Sequence, residues 1–467
     1  MATHTYLTRP ARLLLLAALA LLALSASGVA DAAKKTPAAS SKAGKIAKSK
    51  AAHKAQLRHC RGLQRQAQVV ACIRHADAVL KAKLHKLQPP KKPVHPPTPP
   101  KPSVPSKPSV PSYRAIDKSG FVVGVNDDSL KWTLAPTPVI NDLLGLGATS
   151  VRLTVDWSPG QTDLTDSDLA ALNRIVPAAL GINILLNPIT WGGKTPISTD
   201  QQGQYCTYIK NIMARYPQIR STGIGNEVNK SNFWRPQFNK DGTSAAPAAY
   251  VRLLASCYDL LHASFADVNV VTSLSPRGND NPNASSNVSH SPINFLKKMG
   301  GAYRTSGRSK PIYDTFGQNV YGLASAEPVL RNHDPGTVGL GDYDELVDAL
   351  NGAFNGTAQD VPGENGSQIW YLEEGFQTKT GGHSYTGTEN DPAPLSAQAQ
   401  ADQLTAALKA SYCQPYVGAF YNFHLADETD LAAWQSGVEY ADGTHKASYA
   451  AISRMAAQIK AGTLACK

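Results

Sequence analysis

Three observations make a (β/α)8 barrel the fold that this sequence predicts for residues 113–467. Beyond Tyr113, eight short apolar runs of strand length alternate with stretches of helical period, the pattern of a parallel sheet built from strand–helix units. Polar and aromatic residues collect where those runs end, which is where a barrel gathers its loops at one mouth. The competing architecture, a doubly wound open sheet, advertises a glycine-rich turn after its first strand. Here that place reads Gly124-Val125-Asn126, with no G-x-G-x-x-G.

The chain before the barrel divides into three parts. Arg9 and Arg12 precede the uncharged run Leu13–Leu24, small residues follow, and Ala30-Asp31-Ala32 offers a cleavage site. These are the parts of a secretory signal over residues 1–32. An uncleaved membrane anchor is the alternative, and on either reading the barrel lies outside the cytosol. Residues 33–87 form a basic arm, Ala/Ser/Lys-rich at first and then helical in pattern. Cys60 and Cys72 sit twelve residues apart, roughly 18 Å along a continuous helix, so a disulfide between them requires a helical hairpin. Residues 88–112 are rich in Pro, Lys and Ser and end in two copies of K-P-S-V-P-S, a semi-rigid polyproline spacer.

Within 113–467 the expected strands are Phe121–Val125, Ser150–Asp156, Asn183–Asn187, Ser221–Gly225, Val268–Ser273, Thr315–Tyr321, Ile369–Glu373 and Val417–Phe423. Helical stretches between them include Pro136–Leu144, Ser167–Leu180, Gln201–Tyr216, Pro247–Phe265, Tyr343–Phe354 and Ala397–Ser411. Tyr216-Pro217 is a natural break between helix and strand.

Charge separates the arm from the body. Residues 1–112 carry 20 Lys and Arg against two acids, Asp31 and Asp77, whereas the remainder carries 26 basic and 33 acidic residues. The net charge of +11 therefore belongs to the arm, and the barrel is not expected to bind nucleic acid. The arm itself could meet an acidic cell-surface polymer, or simply remain a solvated basic helix. Six cysteines suit an oxidising compartment. Fifteen connectivities are open to them; the sequential one pairs Cys60 with Cys72, Cys206 with Cys257 and Cys413 with Cys466. None forms a C-x-x-C pair or stands beside histidine at ligand spacing, so no zinc site is expected.

Two stretches carry the chemistry. The run Ile219–Asn229 leads a barely polar strand into Asn226-Glu227, and Gln368–Gly375 leads another into Glu373-Glu374. A carboxylate at the end of an apolar strand is costly unless solvated, paired or protonated. Two at one mouth suggest glycoside hydrolysis, with one donating a proton to the leaving oxygen and the other attacking the anomeric carbon. Tryptophans 132, 157, 191, 234, 370 and 434 all fall in this part of the chain. Indole faces near carboxylates suit pyranose rings, and Trp157, Trp191, Trp234 and Trp434 are the expected sugar platforms. No G-x-S-x-G points instead to serine hydrolysis.

G-N-E-V-N followed by W-Y-L-E-E-G-F resembles the retaining (β/α)8 glycoside hydrolases of the cellulase/β-glycosidase superfamily. V-R-L-T-V-D-W on the second strand and the segment from Trp434 to Tyr449 extend the likeness over roughly residues 120–455. The resemblance implies that Glu227 is the general acid/base, Asn226 the donor to the sugar 2-hydroxyl, and Glu373 the nucleophile. The family glutamate stands two residues before glycine, which selects Glu373 over Glu374; of two adjacent side chains on a strand only one is expected to face the cleft. Tyr321 and Arg152 correspond to the residues that hold the nucleophile. Where the family often shows His-x-Tyr, this chain has Asn319-Val320-Tyr321, so Asn319 is a candidate subsite contact. The implied enzyme is a secreted monomer acting on a carbohydrate, with no metal or organic cofactor. It would touch a membrane only through an uncleaved signal segment. A carbohydrate-binding or cell-wall-associated barrel without turnover is the alternative. His424, Asp427, Glu428 and Asp430 are expected to form a solvated rim.

Overall fold

The computed structural model describes residues 113–466, together with 50–52 and 54 in a helical stretch. The chain divides into two units, Met1–Pro105 and Ser106–Lys467. The expected signal segment, the Cys60–Cys72 hairpin and the 88–112 spacer lie outside the described residues.

The second unit is a closed, all-parallel barrel in which each strand pairs with the next in sequence and the eighth returns to the first. The strands are β1 (Val122–Asn126), β2 (Ser150–Asp156), β3 (Asn183–Ile189), β4 (Ser221–Gly223), β5 (Asn269–Val271), β6 (Thr315–Asn319), β7 (Gln368–Glu374) and β8 (Val417–Phe423). Helices follow them as α1 (Pro136–Leu146), α2 (Asp166–Ala178), α3 (Thr199–Arg215), α4 (Ala246–Ser264), α5 (Pro292–Thr305), α6 (Tyr343–Phe354), α7 (Ala397–Cys413) and α8 (Ala447–Lys460). This is a (β/α)8 barrel, and all eight strands fall where the apolar runs place them. Helices α5 and α8 are additions to the stretches picked out from periodicity.

Local chemistry explains the boundaries. Ser198 caps α3 in a reciprocal box with Gln201, and Thr165, Ser291 and Ser396 each accept a backbone N–H at the start of α2, α5 and α7. Each cap satisfies a donor that the helix cannot. Helix α1 ends on Gly147 at φ 84°, a left-handed position that glycine adopts without steric cost.

Two layers of apolar contact hold the barrel. Between sheet and helices lie Val151, Leu153, Val155, Ile209, Leu254, Leu346 and many others, all buried. Each contributes about 1.5–3 kcal/mol by leaving water. A smaller cluster of Leu185, Val271, Leu372, Ala419 and Tyr421 fills the barrel interior. Toward the carboxyl ends of the strands the interior turns polar, with Asn126, Arg152, Asn187, Ser273, Asn319 and Glu373 all buried. Gly223 on β4 has no side chain because Asn187 occupies the space where one would stand.

Disulfides Cys206–Cys257 and Cys413–Cys466 are formed, as in the sequential pairing. The first ties α3 to α4 and the second ties the end of α7 to the chain after α8. Among the described residues, no helix is long and apolar enough to cross a membrane.

Candidate active site

A cleft of about 1030 Å³ opens at the carboxyl ends of the strands. Its floor is organised by Arg152, which alternation along β2 points inward together with Ser150 and Thr154. The guanidinium is wholly buried and forks between two partners. Nη1 donates to Glu373 Oε1 at 2.5 Å, and Nη2 to Asn226 Oδ1 at 2.8 Å. With their amides turned to satisfy both atoms, Asn126 and Asn187 also present oxygens to Nη1 and Nη2, at 2.9 and 3.2 Å. One positive charge thus links the ends of β1, β2, β3, β4 and β7.

Glu373 is 7% exposed. Besides Arg152 it accepts a hydrogen bond from Tyr321 Oη at 3.2 Å. Burial is the largest influence on its ionisation and pushes the pKa upward. Arg152 opposes, the Glu227 carboxylate adds to the rise, and Tyr321 opposes; the net direction is upward. Tyr321, driven well above the usual phenol range by burial and by Glu373, stays a protonated donor.

Glu227 lies just beyond β4 with φ 41°, a left-handed conformation that costs a residue with a side chain about 1–3 kcal/mol. Gly225, at φ 76°, makes the turn before it. The result aims the Glu227 carboxylate into the cleft, where Oε1 accepts from Asn319 Nδ2 at 3.2 Å and Oε2 pairs with Lys230 Nζ at 2.7 Å. Asn226 Oδ1 also accepts from Ser273 Oγ at 3.1 Å. With that oxygen doubly occupied, the amide NH2 is the part left for the cleft.

Glu374 lines the cleft too, so the expectation that only one of the adjacent glutamates faces it is corrected. Pairing between β7 and β8 is irregular from Tyr371 to Glu374, and this break in the two-residue period brings both side chains round. Glu374 differs from its neighbour in its partners: its Oε1 accepts the Gly375 N–H at 3.1 Å. Burial raises it well above the ordinary carboxylate range, against lesser pulls from that N–H and from Arg277.

The expected aromatic platforms divide evenly. Trp191 and Trp434 line the cleft, 53% and 39% exposed. Trp434 lies 5.6 Å from the Tyr321 ring. Trp157 and Trp234 are elsewhere, at 0% and 1% exposure. Trp157 belongs to the outward face of β2 with Val151, Leu153 and Val155, packs edge-on against Tyr205, and donates its Nε1 to Gln161 O. Trp234 packs against Tyr250 of α4, leaving Phe233 to face the cleft. Arg152 and Asn319 lie beneath the cleft surface, both fully buried.

Sequence reasoning missed Trp132, 73% exposed at the rim, and Lys230, three residues beyond Glu227. Both follow strand ends by a few residues, and that position was the available signal. The rim residue Asp427 proves buried rather than solvated. It pairs with Lys446 at 2.7 Å and accepts from Tyr385 Oη.

No family model matches the chain, and no curated protein matches its sequence. Among solved structures it is similar to a family 39 glycoside hydrolase from Bacteroides cellulosilyticus, with TM-score 0.51 and 12% identity over 74% of this chain. It covers 65% of that enzyme, under two thirds of its length. It is also similar to a family 1 β-glucosidase from Thermotoga maritima, with TM-score 0.48 and 13% identity over 74% of this chain and 99% of the other. A GH5_18 protein from Streptomyces cattleya, in complex with Manb1-4GlcNAc, gives TM-score 0.48 and 14% identity over 72% and 80% of the two chains. The likeness is one of fold, a closed (β/α)8 barrel.

Proposed function

We propose that this protein is a secreted retaining β-glycosidase acting on an oligo- or polysaccharide, with Glu373 as nucleophile and Glu227 as general acid/base. The observation that carries the reading is the Arg152 fork. It holds the Glu373 carboxylate on one side and, through Asn226, the turn that presents Glu227 on the other.

In the first step Glu373 Oε2 or Oε1 attacks the anomeric carbon while Glu227 gives its proton to the departing glycosidic oxygen. Arg152 and Tyr321 hold the attacking carboxylate, and the Asn226 NH2 is placed to donate to the sugar 2-hydroxyl. In the second step Glu227, now a carboxylate, takes a proton from water as that water displaces Glu373 from the sugar. A retaining mechanism calls for carboxyl groups ~5–5.5 Å apart. Trp132, Trp191 and Trp434 offer ring faces to successive sugars, and the two disulfides suit an extracellular setting.

Lys230 favours the competing reading, a barrel that binds carbohydrate without turnover. A proton on Glu227 costs its ion pair with Lys230, so catalysis requires Lys230 to release Oε2 when substrate enters. Mass spectrometry of the full chain after incubation with a panel of 2-fluoro glycosides separates the two. A covalent adduct on Glu373 is the expected result. An adduct on Glu374 would move the nucleophile by one residue. No adduct with any sugar, alongside measurable glycan binding, would overturn the enzymatic reading.

A further inference from the structure

The seam where the barrel closes carries a second cluster, distinct from the carboxylates of the cleft. Asp142 lies on α1, while Glu439 and His445 lie on the segment between β8 and α8. Residues 440–444 form a tight turn, with Tyr440 N–H bonded to Thr444 O at 2.8 Å, and Glu439 bridges antiparallel to His445. The turn therefore sets imidazole and carboxylate side by side. Tyr449 joins the other partner: its hydroxyl donates to Asp142 O at 2.7 Å, and the His445 ring stacks on it at 3.6 Å. One donor atom from each of Asp142, Glu439 and His445 lies within 4.8 Å of the others.

A plain ion pair does not account for this arrangement. Glu439 is 3% exposed, and its Oε1 is buried without a hydrogen-bond partner. His445 Nε2 stands 3.4 Å away but is poorly aligned for a hydrogen bond. An unpaired buried carboxylate oxygen is costly, and a second carboxylate facing it adds repulsion. A doubly charged cation would relieve both.

We propose that Asp142, Glu439 and His445 bind a divalent first-row transition ion that clips the first barrel helix to the loop between β8 and α8. One imidazole with two carboxylates suits Zn²⁺ or a neighbouring metal rather than Ca²⁺ or Mg²⁺, which take oxygen ligands. Ligand bonds of about 2.0–2.2 Å place tetrahedral donors roughly 3.4 Å apart. The donor atoms, all within 4.8 Å of one another, need close by no more than about 1.4 Å, and the His445 side chain, 48% exposed, can move. The fourth position would face water. The clip would brace the cleft wall as well. Asp127, one of the charges acting on Glu439, accepts the N–H groups of Leu425 and Ala426, and Ala426 lines the cleft.

The test is calorimetric titration of the chelator-treated full chain with ZnCl2, comparing wild type with His445→Ala and Glu439→Gln. The arm carries further histidines, so the readout is the difference between proteins. Wild type should bind one more equivalent than either variant, at least tenfold tighter than the remaining sites, and only wild type should melt at a higher temperature with zinc. Titration with Co²⁺ should give visible ligand-field bands in wild type that His445→Ala lacks. Equal stoichiometry and equal melting shifts in wild type and His445→Ala would overturn the proposal, as would the absence of any zinc binding. The half-exposed His445 keeps the test decisive should Glu439→Gln fail to fold.

Discussion

Substituting Arg152 by methionine removes the positive charge in direct contact with Glu373 while keeping much of the side chain's length. Arg152 is wholly buried and Glu373 nearly so, so solvent does little to screen the pair. At an effective dielectric near 20 and about 4 Å between charge centres, the attraction is on the order of 4 kcal/mol. Carboxylates beside an arginine are typically lowered by about 1–3 pKa units, or roughly 1.4–4 kcal/mol. As the proposed nucleophile Glu373 must be ionised to attack, and its pKa already lies above the ordinary range through burial and Glu227. The rate of covalent modification by a 2-fluoro glycoside should therefore fall as pH drops through a midpoint above that of a free glutamate. Without Arg152 the opposing pull is gone and the midpoint moves higher still, by about 1–3 units. Below both midpoints the variant should react about 10–1000-fold more slowly, with a smaller deficit at high pH. Arg152→Lys, which keeps the charge but loses the fork, should shift the midpoint less. Stability gives an independent sign. A folded-state pKa raised above the unfolded value contributes stability that is present at low pH and lost as pH rises through the folded value. Arg152→Met should thus melt closest to wild type in acid and fall progressively behind toward pH 8. A folded variant whose acid midpoint stays where wild type has it would refute the assignment of Arg152 as support for the nucleophile.

Tyr321→Phe removes the hydroxyl from Glu373 and leaves the ring against Trp434. A hydrogen bond to a charged group is worth about 1.5–3 kcal/mol, so the modification rate should drop about 10–150-fold with the melting temperature little changed. Trp157→Ala and Trp434→Ala should separate fold from cleft. The first should cost about 3–5 kcal/mol in urea unfolding. The second should stay within about 0.5 kcal/mol and weaken glycan binding; equal effects would contradict the burial of Trp157. His290 is buried between Gln237 Oε1 and Ser244 Oγ, each at 2.9 Å, and burial pulls its pKa down to about 4. The unfolded chain then binds the extra proton first, so stability should fall by about 3 kcal/mol as pH drops from 6.5 to 4. His290→Gln should flatten that part of the profile in denaturant titrations.

What the sequence reveals about this site follows the range of each interaction. Strand positions are legible because burial on both faces leaves continuous apolar runs, and Arg152 stands out as a charge inside one of them. The orientation of Trp157 was legible by the same logic. Counting in twos from an inward Arg152 reaches Thr154 and Asp156, and puts Trp157 on the helix side with Val151, Leu153 and Val155. Glu373 and Glu374 lie beyond that rule. Starting from the inward Leu372, strict alternation would choose Glu374, and it is the irregular pairing of β7 with both β6 and β8 that also brings Glu373 round, onto Arg152. Such a break depends on the neighbouring strand and leaves no mark in the local sequence. The cluster at Asp142, Glu439 and His445 is more distant again. No local ligand spacing links a residue of α1 to a turn beyond β8, because the closure of the barrel brings them together. The proposed catalytic glutamates are marked in the sequence by short-range motifs, and the strand period is a second, independent mark. Glu373, where the two conflict, is the residue on which covalent labelling bears most directly.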